Sequence, residues 1–173
     1  ADIGVLITDR ENAKCMEKAD RLGIDCFFID PKNFVSREDY EKEIIKYLEK
    51  YNTDLIVASG YMRLLSPLFI KRYRMQIINI HPSLLPSFPG RNPQKQALEH
   101  GVRISGCTTH FIDEGTDTGP IILQASVEIK KGDIEETLSA RILEEEHRIL
   151  SESVKLYCED KISISGRKII IQN

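Results

Sequence analysis

Short apolar runs alternate with amphipathic segments along the first half of the chain. The spacing predicts helices over Glu11–Leu22, after Ser36 and after Ser66-Pro67. Strand character is found between them, in the runs Ile3–Thr8, Asp25–Ile29, Asp54–Ser59 and Gln76–Ile80. This alternation predicts βαβ units and an α/β fold with a parallel sheet. Ligands of such sheets bind beyond the C-terminal strand ends, here at Gly60–Leu65 and His81–Gly90.

The helix predicted after Ser36 carries the clearest local signals of the first half. Ser36 is a favourable N-cap residue, and Glu38 and Asp39 place negative charge in the first turn. The apolar positions that follow have helical spacing and predict the buried face: Tyr40, Ile44, Ile45, Leu48 and Tyr51.

The second half of the chain has longer elements. Two strands, Gly106–Ile112 and Ile121–Ile129, flank an acidic, Gly-containing loop at Asp113–Pro120. A long helix is predicted over Asp133–Asp160, and a closing hairpin follows at 162–172 around Gly166-Arg167. The apolar stripe predicted for the long helix consists of Ile134, Leu138, Ile142, Ile149 and Leu156.

Composition and charge narrow the class of protein. The 173 residues suit a single domain, 1–173, with its own hydrophobic core. The 24 basic and 27 acidic side chains give a net charge of −3 without a basic block, so no nucleic-acid partner is expected. No apolar run approaches the roughly 20 residues that span a bilayer, and no membrane partner is expected. The four cysteines are widely spaced, which favours reduced thiols and a cytoplasmic location.

Candidate chemistry concentrates where the fourth predicted strand ends. Asn79 and His81 lie two residues apart, so they share one face of an extended chain. An amide donor beside an imidazolium could stabilise an oxyanion on an acyl carbon. The prolines that follow indicate a stiff loop. Asp117, in the later acidic loop, could fold back beside His81 and stabilise its charged form, although the sequence alone does not bring the two together.

Other charged residues have simpler interpretations when the sequence is taken by itself. Asp113 and Glu114 suit solvated turn positions. Arg37 and Arg63 suit exposed helix ends, and Glu146 belongs to an acidic run typical of a solvated helical face.

Three segments together resemble the glycinamide ribonucleotide formyltransferase family. They are Ser59–Pro67, Asn79–Pro86 and Gly106–Gln124, and the last contains Asp117-Thr118-Gly119-Pro120. The similarity runs from about Ile3 to Lys161. It implies a Rossmann-like, mostly parallel sheet with helices on both faces. It also implies transfer of a formyl group from 10-formyltetrahydrofolate to the primary amine of glycinamide ribonucleotide, in purine biosynthesis and without a metal.

The resemblance assigns roles to individual residues. The family's catalytic trio falls on Asn79, His81 and Asp117, with the first two stabilising a tetrahedral oxyanion and Asp117 supporting His81. Contacts to the nucleotide substrate fall on Pro82 and Glu146. The remaining folate-binding positions, beside Asn79 and Asp117, are Arg37, Met62, Arg63, Leu64, Leu65, Asp113, Glu114, Gly115 and Thr116. Structural or substrate-adjacent roles are expected for His110 and His147.

The sequence also departs from the family pattern. The family begins with one further strand, a Gly-rich phosphate-binding loop and a helix, whereas this chain starts at the family's second strand. The domain is therefore expected to be N-terminally incomplete, with the first βα unit missing from residues 1–173. The expected partners are the nucleotide and folate substrates, with a homodimer as the assembly to test.

Three alternative functions share parts of this pattern. Formyltetrahydrofolate deformylase uses the same three residue types with water as acceptor, but that family tends to have histidine where Pro82 stands. Methionyl-tRNA formyltransferase adds an RNA-binding domain, which the length and acidic balance argue against. A non-catalytic folate-binding fragment fits the missing phosphate loop, while the intact trio argues against it.

Overall fold

A computed structural model describes residues 1–172 and divides the chain into two compact units. Unit one comprises Ala1–Ile56 and Leu64–Tyr73, and unit two comprises Val57–Arg63 and the chain from Arg74 onward. The helices are α1 Lys14–Arg21, α2 Arg37–Lys50, α3 Pro67–Arg72, α4 Pro93–His100 and α5 Glu135–Cys158. The strands are β1 Leu6–Thr8, β2 Cys26–Phe28, β3 Ile56–Ala58, β4 Ile77–His81, β5 Ile104–Phe111, β6 Ile121–Glu128, β7 Ile162–Ser165 and β8 Lys168–Ile171.

In unit one, the predicted order of strand and helix is confirmed with shorter strands. β1 and β2 pair in parallel, with Leu6 opposite Cys26, so α1 forms the crossover of a βαβ unit. The helix ends where Gly23 adopts φ 67°, a conformation that favours glycine. The predicted Ser36 cap is confirmed, because its hydroxyl accepts a hydrogen bond from the Asp39 amide. Ser66 caps the helix predicted to start at Ser66-Pro67, where its hydroxyl accepts from the Phe69 amide.

The buried face of α2 differs from the predicted stripe at one important position. Tyr40, Ile44 and Leu48 are buried as expected, whereas Ile45 and Tyr51 are only half-buried. Glu41, which the apolar pattern excludes, is fully buried. Its carboxylate accepts hydrogen bonds from the amide and the hydroxyl of Ser66, so the cap of α3 also anchors α2.

Replacing Ser66 is expected to destabilise the fold more than replacing the other serine cap. Ser66→Ala removes the α3 cap and one of two donors to the buried Glu41 carboxylate, which we expect to lower the free energy of unfolding by about 2–3 kcal/mol. Ser36→Ala, at an exposed cap, is the matched control and should lower it by about 1 kcal/mol. Urea unfolding of both variants checks this, and equal losses would contradict the proposed anchoring role.

Unit two contains a sheet in the order β3-β4-β5-β6. β5 runs antiparallel to both β4 and β6. This is expected for β5 and β6, which one loop joins, whereas α4 lies between β4 and β5 in the chain. α5 packs on β5 and β6, and the core between them is apolar. Its fully buried members are Cys107, Ala125, Val127, Leu138, Ile142 and Ile149. The register that results sets Asn79 opposite His110 and His81 opposite Thr108.

Two details of unit two correct the sequence-based expectations. Helix α4 was not predicted, although Pro93 at its first turn and Gly101 with φ 68° just after its end are ordinary boundary signals. Ile134, predicted to lie in the buried stripe of α5, is 56% exposed. It precedes the helix as the N-cap residue, and its amide donates to the Thr137 hydroxyl.

The closing hairpin is confirmed as β7 and β8, with Ile162 opposite Ile171. The predicted α/β class is confirmed by the elements of both units. Among residues 1–172, no helix has the length and apolarity needed to cross a membrane. The prediction of a single domain over 1–173 stays a prediction.

Candidate active site

The three residues predicted to carry the chemistry meet in unit two. Asn79 and His81 occupy the C-terminal end of β4, and Asp117 lies in the loop between β5 and β6. The Nδ1 atom of His81 is 3.4 Å from Oδ2 of Asp117. Asn79 joins the group through His110, since Asn79 Nδ2 lies 3.2 Å from His110 Nε2, which is itself 3.7 Å from Oδ1 of Asp117.

The His81 ring is held by protein groups at both nitrogens. Its Nε2 atom donates to the Phe88 carbonyl at 2.9 Å, which leaves Nδ1 facing the Asp117 carboxylate. The His81 side chain is 7% exposed, so this contact is largely removed from bulk water. With Nε2 already a donor, a proton on Nδ1 makes the contact to Asp117 attractive, which is the arrangement of an imidazolium beside a carboxylate.

His110 determines how the Asn79 amide is oriented. Its Nδ1 atom donates to the Phe111 carbonyl at 2.9 Å, so Nε2 accepts from the Asn79 amide. Burial lowers the pKa of His110 below its usual value, which favours the neutral ring that this acceptor role needs. One amide hydrogen of Asn79 is thereby used, and the other is available to a substrate oxygen.

Asp117 is positioned by a compact turn. Its backbone adopts φ 54°, an uncommon conformation that aspartate tolerates better than most residues. Its Oδ2 atom accepts a hydrogen bond from the Gly90 amide at 2.7 Å. The Asp113 carboxylate closes the same turn by accepting from the Gly115 amide at 3.1 Å and the Thr118 hydroxyl at 2.6 Å. In this structure Asp113 therefore organises the loop, as the simpler interpretation expects.

The loop after β4 is fixed by two polar residues that sequence reasoning did not single out. The Thr108 hydroxyl donates to the Ser83 carbonyl at 2.7 Å and accepts from the Leu85 amide at 3.1 Å. Gln124 Nε2 donates to the Leu85 carbonyl at 2.9 Å. These bonds hold the segment that carries Phe88 and its carbonyl, in agreement with the predicted stiffness. The one sequence signal for Thr108 and Gln124 is that each is a polar residue within a predicted strand, where a buried polar side chain needs a hydrogen-bond partner.

The other predicted folate-binding residues lie in both units and are mostly exposed. Within unit one, Arg37 Nη1 donates to the Leu64 carbonyl at 3.4 Å. Leu64 is 63% exposed, while Leu65 is half-buried. In unit two, Met62 is 74% exposed. Arg63, Glu114, Gly115 and Thr116 are also exposed.

Glu146 and Pro82, the predicted substrate contacts, are both half-buried in unit two. Glu146 is therefore not on a fully solvated face of α5. Its burial raises the pKa of the carboxyl above the usual value. Its charge, after burial itself, also contributes to a Cys107 pKa of about 12. Burial disfavours the ionised form of the Glu146 carboxyl, and ionisable groups with such shifts are often found at ligand-binding sites.

Glu146→Gln is expected to stabilise the fold at neutral pH. The folded-state pKa of Glu146 is raised, so the free energy of unfolding is highest below the unfolded value of about 4.3 and falls as the pH rises through it. The neutral amide removes that loss, so Tm should rise at pH 7 and stay unchanged near pH 4. Glu144→Gln, on the exposed side of α5, is the control, and an equal effect of both variants would contradict the argument.

Comparison with known proteins identifies the family of the chain. The formyl transferase family matches residues 1–154. The chain is 42% identical to phosphoribosylglycinamide formyltransferase of Bacillus subtilis, over 86% of this chain and 76% of that protein. It is 41% identical to the trifunctional purine biosynthetic protein adenosine-3 of Gallus gallus, over 95% of this chain and 16% of that protein. The chain thus spans about a sixth of the trifunctional relative.

The solved structures place the fold in the same group. The crystal structure of glycinamide ribonucleotide transformylase 1 from Symbiobacterium toebii superposes with a TM-score of 0.96 at 45% identity. That match covers 98% of this chain and 80% of the other. The matched residues include β4, β5 and the loop that carries Asp117. The chain belongs to the formyl transferase family, among the phosphoribosylglycinamide formyltransferases.

Proposed function

We propose that this protein transfers a formyl group from 10-formyltetrahydrofolate to the amine of glycinamide ribonucleotide, a step of purine biosynthesis. One observation carries the proposal: Asn79, His81 and Asp117 converge in unit two with a free amide hydrogen and a carboxylate-supported imidazole. This pairing of donors suits an acyl carbon that becomes tetrahedral. The family membership and the names of the similar proteins support the choice of donor and acceptor.

In the proposed mechanism, Asn79 and His81 stabilise the negative charge that develops on the formyl oxygen. The substrate amine attacks the formyl carbon and forms a new C–N bond. Protonated His81 donates toward the oxyanion or the departing folate nitrogen, and the proton released by the attacking amine restores it. Because Nε2 of His81 is bonded to the Phe88 carbonyl at rest, the ring exchanges this acceptor for a substrate atom.

Asp117 orients the imidazole of His81 and supports its protonated form before the proton is donated and after it is restored. Its carboxylate is itself fixed by the Gly90 amide, so it cannot turn away without losing a charge-assisted hydrogen bond. The mechanism requires no covalent enzyme intermediate, because the amine is a competent nucleophile.

For the substrates, we assign the roles that family membership supports. Taken by itself, each of the exposed apolar side chains of Met62 and Leu64 suits contact with a flat pterin ring. Arg37 suits the carboxylates of a folate tail. The same assignment proposes folate contacts for Leu65, Arg63 and the loop 113–117, in which Glu114, Gly115 and Thr116 are exposed. Glu146 would accept hydrogen bonds from hydroxyl groups of the nucleotide, beside Pro82.

A turnover assay tests the proposal against its alternatives. Consumption of 10-formyltetrahydrofolate by the purified protein should depend on added glycinamide ribonucleotide and should be at least about 100-fold slower with Asn79→Ala, which removes one oxyanion donor. Consumption at the same rate without the ribonucleotide would instead indicate the deformylase. Folate binding without any turnover would indicate the non-catalytic alternative.

A further inference from the structure

The C-terminal hairpin β7–β8 contacts the loop that carries Asp117. Arg167, at the tip of the hairpin, donates from Nη2 to the Thr118 carbonyl at 2.8 Å. This bond joins residues 49 positions apart, and the hairpin lies outside residues 1–154, which the family matches. The match over residues 1–154 therefore assigns no role to this contact.

The loop between β5 and β6 contains backbone conformations that contacts from other segments must stabilise. Asp117 sits in the left-handed region with φ 54°, and such conformations persist only where the surroundings hold them. Just beyond it, Gly119 packs against the chain so closely that an added Cβ would lie 1.8 Å from the Phe111 carbonyl oxygen. Thr118 stands between these two constrained residues, and Arg167 binds its carbonyl.

The hairpin is itself anchored and can serve as a fixed support. The Lys161 amide donates to the Leu156 carbonyl at 3.0 Å, which joins β7 to the end of α5. The Gln172 amide donates to the Lys161 carbonyl at 2.9 Å and closes the base of the hairpin. β8 also packs beside β6, the strand into which the Asp117 loop leads.

We propose that Arg167 is a positioning residue for Asp117. By fixing the Thr118 carbonyl, its guanidinium holds the preceding residue in the backbone conformation that directs the carboxylate to His81 and to the Gly90 amide. Arginine suits this task because its planar group donates in fixed directions. The catalytic part of this inference rests on the proposed formyl transfer, whereas the effect on the position of Asp117 does not.

Steady-state kinetics and hydrogen exchange test the proposal together. Arg167→Ala should lower kcat about tenfold with little change in KM for the folate, since a small displacement of a catalytic group slows chemistry more than binding. Arg167→Lys, which retains a donor and its charge, should recover a substantial part of the rate. Lys168→Ala, which removes a positive charge from the same hairpin, is the matched control and should leave kcat unchanged.

The amide of Gly90 reports the position of Asp117 without any turnover. In Arg167→Ala its exchange should accelerate several-fold, because its carboxylate acceptor is less firmly held, while Lys168→Ala should not change it. Unchanged exchange at Gly90 in Arg167→Ala would overturn the proposal, and so would an equal effect of both alanine variants. Faster exchange in a protein that transfers no formyl group would support the positioning role and refute the proposed function alone.

Discussion

His81→Ala is expected to reduce kcat for formyl transfer by about 10³-fold, the largest effect of any single substitution considered. The variant loses a proton donor in the transition state, which is worth about 10²–10⁴-fold in rate. In the proposed mechanism His81 is also one of the two groups that stabilise the oxyanion, so the variant loses that interaction as well. KM for either substrate should change much less than kcat, because the lost interaction develops mainly in the transition state.

The variant should still fold, which keeps the kinetic result interpretable. The Phe88 carbonyl that loses its His81 donor retains the Ser83 hydroxyl at 3.3 Å. His81→Gln is the second variant, because it keeps an N–H donor but carries no transferable proton. Both variants should be folded by circular dichroism and similarly slow. Near-normal turnover in either one would remove His81 from the mechanism.

Asp117→Asn is expected to lower kcat by about 10²-fold with little loss of stability. Asparagine tolerates the left-handed φ of 54° at this position, and its Oδ1 can still accept from the Gly90 amide. What disappears is the negative charge 3.4 Å from Nδ1 of His81, and with it the electrostatic support for the imidazolium.

The matched control is Glu99→Gln, which removes an acid from an exposed position of α4, in the same unit as His81. It should leave kcat within about twofold, because an exposed charge is screened by solvent and salt. Equal losses in the two variants would show that acidic charge in general matters, and would refute a specific partnership between Asp117 and His81.

Local patterns in the sequence were sufficient to predict most of the elements. The capping bonds of Ser36 and Ser66 join residues only three positions apart. Helix starts of this kind can be predicted from a few consecutive residues. The same holds for the segments Gly106–Ile112 and Ile121–Ile129, which predict β5 and β6. The failures involve partners far apart in the chain. Glu41 is buried because Ser66, 25 residues away, satisfies its carboxylate.

The candidate site shows the same division. The spacing of Asn79 and His81 predicts that their side chains share one face of the strand, and the family resemblance adds Asp117 to the catalytic residues. Neither shows that His110 lies between Asn79 and Asp117. That contact follows from the antiparallel register of β4 and β5, which sequence spacing does not determine. The Phe88 carbonyl and the Gly90 amide are backbone groups, so no side-chain pattern could have identified them.

The destination of the formyl carbon is the most direct test of the proposed activity. The purified protein would be given 10-formyltetrahydrofolate labelled with carbon-13 at the formyl group, together with glycinamide ribonucleotide, and the products followed by NMR. The proposed transfer predicts that the label appears as a formamide on the ribonucleotide, in step with release of tetrahydrofolate. Label recovered as free formate, with the ribonucleotide unmodified, would contradict it.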